Sequence, residues 1–410
     1  MNTPYSNTYD FILAGGGLQA GLLATAINHC QPTARILMIE RNDRLCGNHT
    51  WSFHASDIEQ LDSDWLQSLP LKQWPGYTVK FERLERKLDL GYCSLTSTNL
   101  ERKLFEIAGA GQLEIKTNTR ITKLESHSVQ TSDGLAYRAE MLIDCRGLRS
   151  NDESSGCGYQ KFHGFEIELE NQDWPDSLPV LLDATLDQRS GFRFMYVLPL
   201  TNRRVLIEDT HFADNRELAR EQSLAEVKNY LSKRRIGDWT IVREERGCLP
   251  MPYSNHMRPS LSVPLRGGYA GGWFHAATGY SFPLAARFAD EIASSPAEQI
   301  PKRIARLAQS NRFQATFSRF LNRLLFRLVP PEKRWMILRR FYQVLPEGTI
   351  KRFYSHQFTV LDAARIIVGS PMHSLKLSLE LGLTPFRFLQ SFGSDPQSSL
   401  QGGRFPFTLK

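Results

Sequence analysis

The stretch "YDFILAGGGLQAGLLATAI", residues 9–27, decides the fold. Residues 11–14 are an apolar run of strand length, Gly15, Gly16 and Gly17 follow, and residues 18–27 carry helical periodicity. "ARILMIE", residues 34–40, is a second apolar strand and ends in Glu40. Strand, tight turn, helix and strand with an acid at the second tip match a dinucleotide-binding βαβ unit, reading Gly15-x-Gly17-x-x-Ala20 with Gly21 beside it. Glycines let the backbone approach a pyrophosphate, and the helix N-terminus offers unpaired N–H groups to it. Gly15, Gly16, Gly17, Leu18, Gln19 and Ala20 are therefore candidate cofactor contacts, and Glu40 would accept hydrogen bonds from an adenosine ribose. A glycine motif alone is a weak signal, but the flanking strands, the helix and the acid make this one strong.

Two later segments choose between nicotinamide and flavin. "AEMLIDCRGLRS", residues 139–150, is an apolar strand ending in Asp144, followed by Arg146 and Gly147. "GGYAGGWFHAATGYSFPLAARFADEIA", residues 267–293, predicts a strand, a glycine turn and a helix starting near Ser281 or Pro283. A nucleotide lobe interrupted by other material and completed late suits FAD better than NAD. Asp144, Gly147, Gly272, Thr278, Gly279 and Tyr280 join the cofactor candidates. In place of the Gly-Asp pair usual in such late segments stands Gly271-Gly272, which leaves either weaker binding or backbone groups in place of the acid. The expected architecture is α/β: a Rossmann-type FAD-binding fold (a two-dinucleotide-fold flavoprotein) with an inserted β-sheet substrate domain and a C-terminal helical region. Residues 1–55, 90–155 and 265–300 are assigned to the discontinuous FAD domain. The substrate domain takes 56–89 and 156–264, a basic membrane-facing helical region 301–392, and a Gly/Ser/Pro-rich flexible tail 393–410.

The net charge of +7 is concentrated: residues 301–345 hold eleven Lys or Arg and one acid, Glu332. Bulky apolar residues interleave with them at helical spacing, which suggests an anionic membrane surface as partner. Ordinary surface helices covering a core with Arg stems are the plainer reading. No nucleic-acid-binding motif accompanies the charge, so nucleic acid is not expected as a partner. Six cysteines lack CxxC spacing and suggest neither disulfides nor a metal site, which suits a reducing cytoplasm. No signal peptide and no run of 18 apolar residues is apparent.

"RVLIEDTHFAD", residues 204–214, reads as a strand carrying Glu208 and Asp209 side by side. Buried acids are costly unless paired, hydrogen-bonded or protonated. Strand alternation sends the two side chains to opposite faces. The preceding run "FRFMYVLPL", residues 192–200, places Phe192, Phe194, Tyr196 and Leu198 on one face, and the intervening "TNRR" makes the pair a hairpin. A three-residue loop sets Glu208 opposite Tyr196; a four-residue loop sets it opposite Val197 and gives the aromatic face to Asp209. One residue of slip decides.

"CGNHTWSFH" (46–54), "FRFMYVLPL", "LIEDTH" (206–211) and "FHAATGYSFPLA" (274–285), with the tail segments "RFLNRLLF" and "RWMILRRFY", together resemble the bacterial lycopene β-cyclase family over nearly the whole chain. The resemblance implies cyclisation of the open ends of lycopene to β-rings, giving β-carotene through γ-carotene. It also implies reduced FAD, with electrons expected from NAD(P)H. It further implies peripheral attachment to the cytoplasmic face of the cell membrane, where other carotenoid-pathway enzymes are potential partners. Product and substrate are isomers, so the demanding step is protonation of an alkene carbon by an acid kept neutral in apolar surroundings. The family's "LIEDT" implies Glu208 as that acid, with Asp209 as runner-up. Aromatic faces that would stabilise the cation are Trp51, Phe53, Phe192, Phe194, Tyr196 and Tyr280, each of which could equally be core. His54 and His275 are candidate acceptors of the final proton, with His49 a weaker one. Two other readings stand beside this one: an FAD-dependent monooxygenase or halogenase acting on an apolar substrate, and a carotenoid carrier with a relic flavin fold.

Overall fold

A computed structural model describes residues 7–368 apart from 60, 62, 149–155, 189–190, 255–256 and 260. The expected tail at 393–410 and the last part of the basic region lie outside the described residues.

The glycine stretch folds as read. The strand Asn7–Ala14 leads through the glycines into the helix Leu18–Cys30, and Ile36–Ile39 returns beside the first strand in parallel. Parallel order continues with Leu113–Lys116 on one side and Ala136–Asp144 on the other. Antiparallel strands Ser128–Thr131 and Ile121–Leu124 extend that edge. The helix Leu18–Cys30 is buried nearly all round, because the sheet, the helix Ser97–Gly109 and the late helix Phe282–Ala293 enclose it. A helix apolar on every side requires such enclosure.

The late segment differs from expectation. Its strand is only Leu265–Arg266, parallel to the end of Ala136–Asp144, and residues 269–271 form a single tight helical turn instead of continuing it. Glycines at 267, 268, 271 and 272 weaken any strand there. The helix Phe282–Ala293 then begins where predicted, with Ser281 before it and Pro283 in its first turn.

The inserted sheet is a seven-stranded, mostly antiparallel layer. Four of its strands carry the argument: an outer strand Trp239–Pro252, a central strand Cys157–Leu169, an acid strand Arg204–Ala213 and an aromatic strand Phe192–Pro199, adjacent in that order. Val180–Asp183, Tyr77–Phe81 and Leu84–Leu88 complete it. Residues 77–88 thus join this sheet, whereas Lys72–Trp74 pairs with Tyr92–Thr96 in a separate three-stranded sheet that also holds Thr50–His54. One face of the seven-stranded sheet packs Phe165, Ile167, Val197, Val205 and Ile207 against Val227, Tyr230 and Leu231 of the helix Arg220–Lys233. The other face looks into a cavity.

Helices Arg312–Arg323, Arg334–Val344, Glu347–Tyr354 and Val360–Val368 roof that cavity, while Ile300–Ser310 packs on the late helix Phe282–Ala293. Many of the basic side chains face inward. Arg334 is fully buried, donating to both carboxylate oxygens of Asp214 at 2.9 Å and to the carbonyl of Leu325. Arg319 and Arg323 donate to the carbonyls of Met257 and Tyr253, and Arg340 to those of Ile366 and Ile367. A uniformly basic outer face is therefore not what these helices present. Lys302, Arg306, Arg312 and Arg327 remain exposed.

Candidate active site

The nucleotide end comes first in the chain. Gly15 has φ +107°, and a Cβ there would lie 2.8 Å from the carbonyl oxygen of Cys145. A Cβ on Gly16 would sit 2.6 Å from Leu45, while around Gly17 the space is open. The helix Leu18–Cys30 starts at Gly17 with no side-chain cap, so its first N–H groups are available to an anion. Glu40 accepts from the amides of Gly16 at 2.8 Å and Asn42 at 2.9 Å, pinning the loop to the second strand. This is a cradle of dinucleotide character. Gln19 locks the late segment onto it, donating to the carbonyl of Ala285 and accepting from the amide of Gly268.

A cavity of about 1230 Å³ runs from this cradle to the inserted sheet. Gly16, Gly17, Leu18, Gln19, Glu40 and Gly147 line it, as do Thr278, Gly279 and Tyr280. Four other cofactor candidates do not. Gly15 and Ala20 shape the turn from behind. Asp144 is turned away into a two-point ion pair with Arg146, both contacts 2.8 Å, so Arg146 reaches the cavity instead. Gly272, at φ +77°, packs against the backbone of residues 257–259, and Gly267, Gly268 and Tyr269 line the cavity in its place.

At the other end stand Phe192, Phe194, Tyr196, Glu208, Thr210 and Phe212. The hairpin takes the three-residue loop: Tyr196 is directly opposite Glu208, and Pro199 opposite Val205. Alternation then sends Asp209 to the far face, where it accepts from Arg193 at 2.8 Å and pairs with His211 at 3.1 Å. Asp209 therefore cannot reach the cavity. Burial raises its pKa, but His211 and Arg193 outweigh burial and hold the group below its usual value.

Glu208 has the opposite environment. Only 7% exposed, it is pushed well above the ordinary glutamate pKa, first by burial and then by the nearby carboxyl of Glu245. Arg243 and Thr210 oppose this without cancelling it. Glu245, on the outer strand, accepts from Arg243 at 2.6 Å and from Thr50 at 2.9 Å. Arg243 also donates to the carbonyl of Asn48, and Asn48 to that of Glu244. The stretch "NHT" thus stitches the entry to the strand Thr50–His54 onto the outer strand, behind the acid.

The aromatic candidates divide. Trp51, Phe192, Phe194, Tyr196 and Tyr280 line the cavity, whereas Phe53 is wholly buried, stacked on Phe282 with ring centroids 3.6 Å apart. Tyr92 also reaches the cavity, its hydroxyl 3.1 Å from that of Tyr196 and 2.8 Å from that of Tyr280.

Neither histidine lines the cavity. Burial lowers His54 to about 3, and its Nε2 meets the hydroxyl of Tyr77 at 3.1 Å. Burial also lowers His275 to about 4; its Nε2 sits 2.9 Å from the carbonyl of Phe353 and its Nδ1 accepts from the amide of Ala277. With both ring nitrogens engaged, His275 has no lone pair free for a substrate proton. His49, whose pKa burial lowers, does line the cavity.

Glu245, Arg243, Thr50, Tyr92 and Gly164 were not singled out by the sequence. An isolated glycine inside an apolar strand, as in "FHGFEIE", signals close approach and could have pointed to the row in which Glu208 and Glu245 lie.

Comparison with known proteins agrees with this layout. By fold, the chain is similar to a geranylgeranyl bacteriochlorophyll reductase-like protein from Thermoplasma acidophilum, with a TM-score of 0.61 at 13% identity over 92% of this chain and 99% of that one. It is also similar to PqsL, a probable FAD-dependent monooxygenase from Pseudomonas aeruginosa, with a TM-score of 0.56 at 15% identity over 80% and 99% of the two chains. By sequence, it is 36% identical to the lycopene beta-cyclase of Pantoea ananas over 92% of this chain and 99% of that protein. It is 37% identical to the lycopene beta-cyclase of Pseudescherichia vulneris over 88% and 94%. The lycopene cyclase protein family model matches residues 10–380, and the chain belongs to that family.

Proposed function

We propose that the protein is a lycopene β-cyclase which closes the open ends of lycopene to β-rings, giving β-carotene through γ-carotene, with Glu208 as the acid. One observation carries this reading: a carboxyl group whose pKa is raised by burial stands in the wall of an aromatic-lined cavity that is continuous with a dinucleotide cradle. The Glu208 O–H bond breaks and a C–H bond forms at the terminal double bond of the polyene, leaving a tertiary cation. The neighbouring double bond attacks it and closes the ring. Trp51, Phe194, Tyr196 and Tyr280 offer faces to the cation, each such contact worth about 2 kcal/mol when water is excluded. The ring then loses a proton. The carboxylate left on Glu208 is the base best supported, because His54 and His275 sit outside the cavity with their ring nitrogens lowered by burial. Atoms and charges balance, as an isomerisation requires.

The residues fit FAD. Gly16, Gly17 and the uncapped helix start would hold the pyrophosphate, Glu40 the ribose, and residues 267–269 and 278–280 would close over the remainder. When bound, reduced FAD would supply an electron-rich ring against positive charge, and NAD(P)H is its expected reductant. Replacing Glu40 by Ala should lower flavin retention at least about tenfold, since it removes the loop's anchor as well as the ribose acceptor; unchanged occupancy on gel filtration would overturn the assignment.

Peripheral attachment at a membrane is also proposed. Among the described residues no helix is long and apolar enough to cross one. Support comes from Phe313, Val360, Leu361 and Val368, which are 40–70% exposed beside Arg312 and Arg365. Val368 also lines the cavity, so an apolar substrate could enter there without crossing water.

The deciding experiment is pigment chromatography of lycopene-making cells expressing this chain or its Glu208→Gln form. Cyclised pigments from the first and lycopene alone from the second are expected; no rings from the parent chain would refute the reading. Anaerobic assay with chemically reduced flavin separates it from a monooxygenase, which needs oxygen for every turnover.

A further inference from the structure

Across the inserted sheet, Glu208 of the acid strand, Gly164 of the central strand and Glu245 of the outer strand form one straight row. Residues in register on neighbouring strands point to the same face, so all three face alike. Two strand spacings separate the backbones of Glu208 and Glu245, about 10 Å. Any side chain at position 164 would stand between them. A Cβ there would lie 2.8 Å from Cγ of Glu245 and 3.0 Å from Cγ of Glu208. Because the residue is glycine, both acidic side chains lean over it and converge in the space a Cβ would fill. Glu245 is 2% exposed. Arg243 and Thr50 take up its Oε2, while its Oε1 is buried with no N–H or O–H donor. The structure therefore leaves one buried, unpartnered carboxylate oxygen on the acid whose side chain converges with that of Glu208 over Gly164.

Building on the reading of Glu208 as the acid, we infer that Glu208 and Glu245 act as a dyad sharing one proton: Glu245, held by Arg243 and Thr50, biases that proton toward Glu208, the carboxyl that faces the cavity. Two carboxylates in contact cannot both be ionised cheaply, which is why one proton is retained. Glu245 does not line the cavity and is a positioning residue, not a catalytic one. The groups facing the dyad are Thr210 on the acid strand, Tyr196 on the aromatic strand, Arg243 on the outer strand, Glu166 one row along the central strand, and His49 and Thr50 on the segment before Thr50–His54. Arg243 also pairs with Glu166 at 2.7 Å, so it keeps an anionic partner if Glu245 is neutralised.

The test is the pH dependence of cyclisation by the flavin-loaded enzyme, comparing Glu245→Gln, Gly164→Ala and Glu208→Gln. Loss of a like charge at this range shifts a carboxyl by about 1–3 pH units. Glu245→Gln should therefore keep near-parental turnover on the acid side, while its alkaline midpoint falls by about 1–3 units and turnover at neutral pH drops at least about tenfold. Gly164→Ala, which wedges the carboxyls apart, should shift the midpoint in the same direction and carries the test if Glu245→Gln does not accumulate. An unchanged midpoint in whichever variant folds overturns the dyad, and so does loss of turnover at every pH in folded, flavin-retaining Glu245→Gln. Glu208→Gln keeps the two claims apart. Ring formation by that variant removes Glu208 as the acid, whereas an inactive Glu208→Gln beside an unshifted Glu245→Gln removes only the dyad.

Discussion

As the proposed acid, Glu208 must be buried and protonated at once, and these conditions reinforce each other because the cost of burial falls only on the charged form. The direction of the pH effects follows. Its folded-state pKa lies above the value near 4.3 expected unfolded. The acid is therefore competent at low pH, and turnover should decline as pH rises through the raised value. Stability has the same sign: above the unfolded value the folded state holds a proton the unfolded chain has lost, so ΔG of unfolding falls as pH rises to the folded value. Urea unfolding of Glu208→Gln at several pH values should show a flatter profile across that window; a steeper one would contradict the assignment. Glu208→Gln should also lower turnover by about a thousandfold, the usual scale for a positioned acid. At this scale the sequence singled out Glu208, which lines the cavity, and also His54 and His275, which do not. "NHTWSFH" and "FHAATGY" drew attention to His54 and His275 by resemblance, but whether a ring nitrogen is free depends on Tyr77, Phe353 and Ala277, distant or unremarkable in sequence. The same stretch hid Thr50, whose hydroxyl reaches Glu245.

Alternation within one strand separates the two neighbouring acids at the level of the element. Asp209 sits in an ion-pair cluster under the helix Arg220–Lys233, where Arg193 also meets Glu226 at 3.3 Å. Asp209→Asn should cost about 3 kcal/mol of stability, since it leaves a largely buried guanidinium short of charge. The folded fraction should still form rings at a rate within a few-fold of the parent. Because the pKa of Asp209 is depressed in the fold, its contribution is present above its unfolded value and is lost as pH falls through the folded one. Chemical denaturation paired with turnover per folded molecule checks both statements; intact stability with lost turnover would exchange the roles of the two acids. The opposition of the faces was legible from period two alone, but the hairpin register was not. It rests on the Thr201 amide bonding to the Arg204 carbonyl at 3.0 Å, a detail of the turn. The strand expected at the head of residues 267–293 is only Leu265–Arg266, because Gly267, Gly268, Gly271 and Gly272 offer nothing to pack.

Taken whole, the molecule builds its site from segments far apart in the chain, and this is where the sequence stopped being readable. The βαβ unit was plain because its contacts are local. The convergence of Glu208 and Glu245 needs three strands in register, and the roof needs helices from residues 312–368 folded back over the cavity. The positive charge of those helices was visible, but its direction was not: Arg319, Arg323, Arg334 and Arg340 turn inward onto carbonyls or Asp214. The proposed membrane contact is better placed on the exposed apolar start of Val360–Val368 and on Phe313, which meets Phe358 at 5.9 Å. Changing Val360 and Leu361 to Asp should reduce sedimentation with anionic vesicles at least about tenfold while leaving flavin content unchanged. Equal sedimentation would move the contact elsewhere.

The central claim is that Glu208 is uncharged at neutral pH. Infrared difference spectroscopy of the flavin-loaded protein against its Glu208→Gln form reads this directly, without substrate. The account predicts a protonated-carboxyl C=O stretch at neutral pH that is present in the parent chain and missing from the variant. Identical spectra in that region, or a carboxylate band lost in its place, would contradict it.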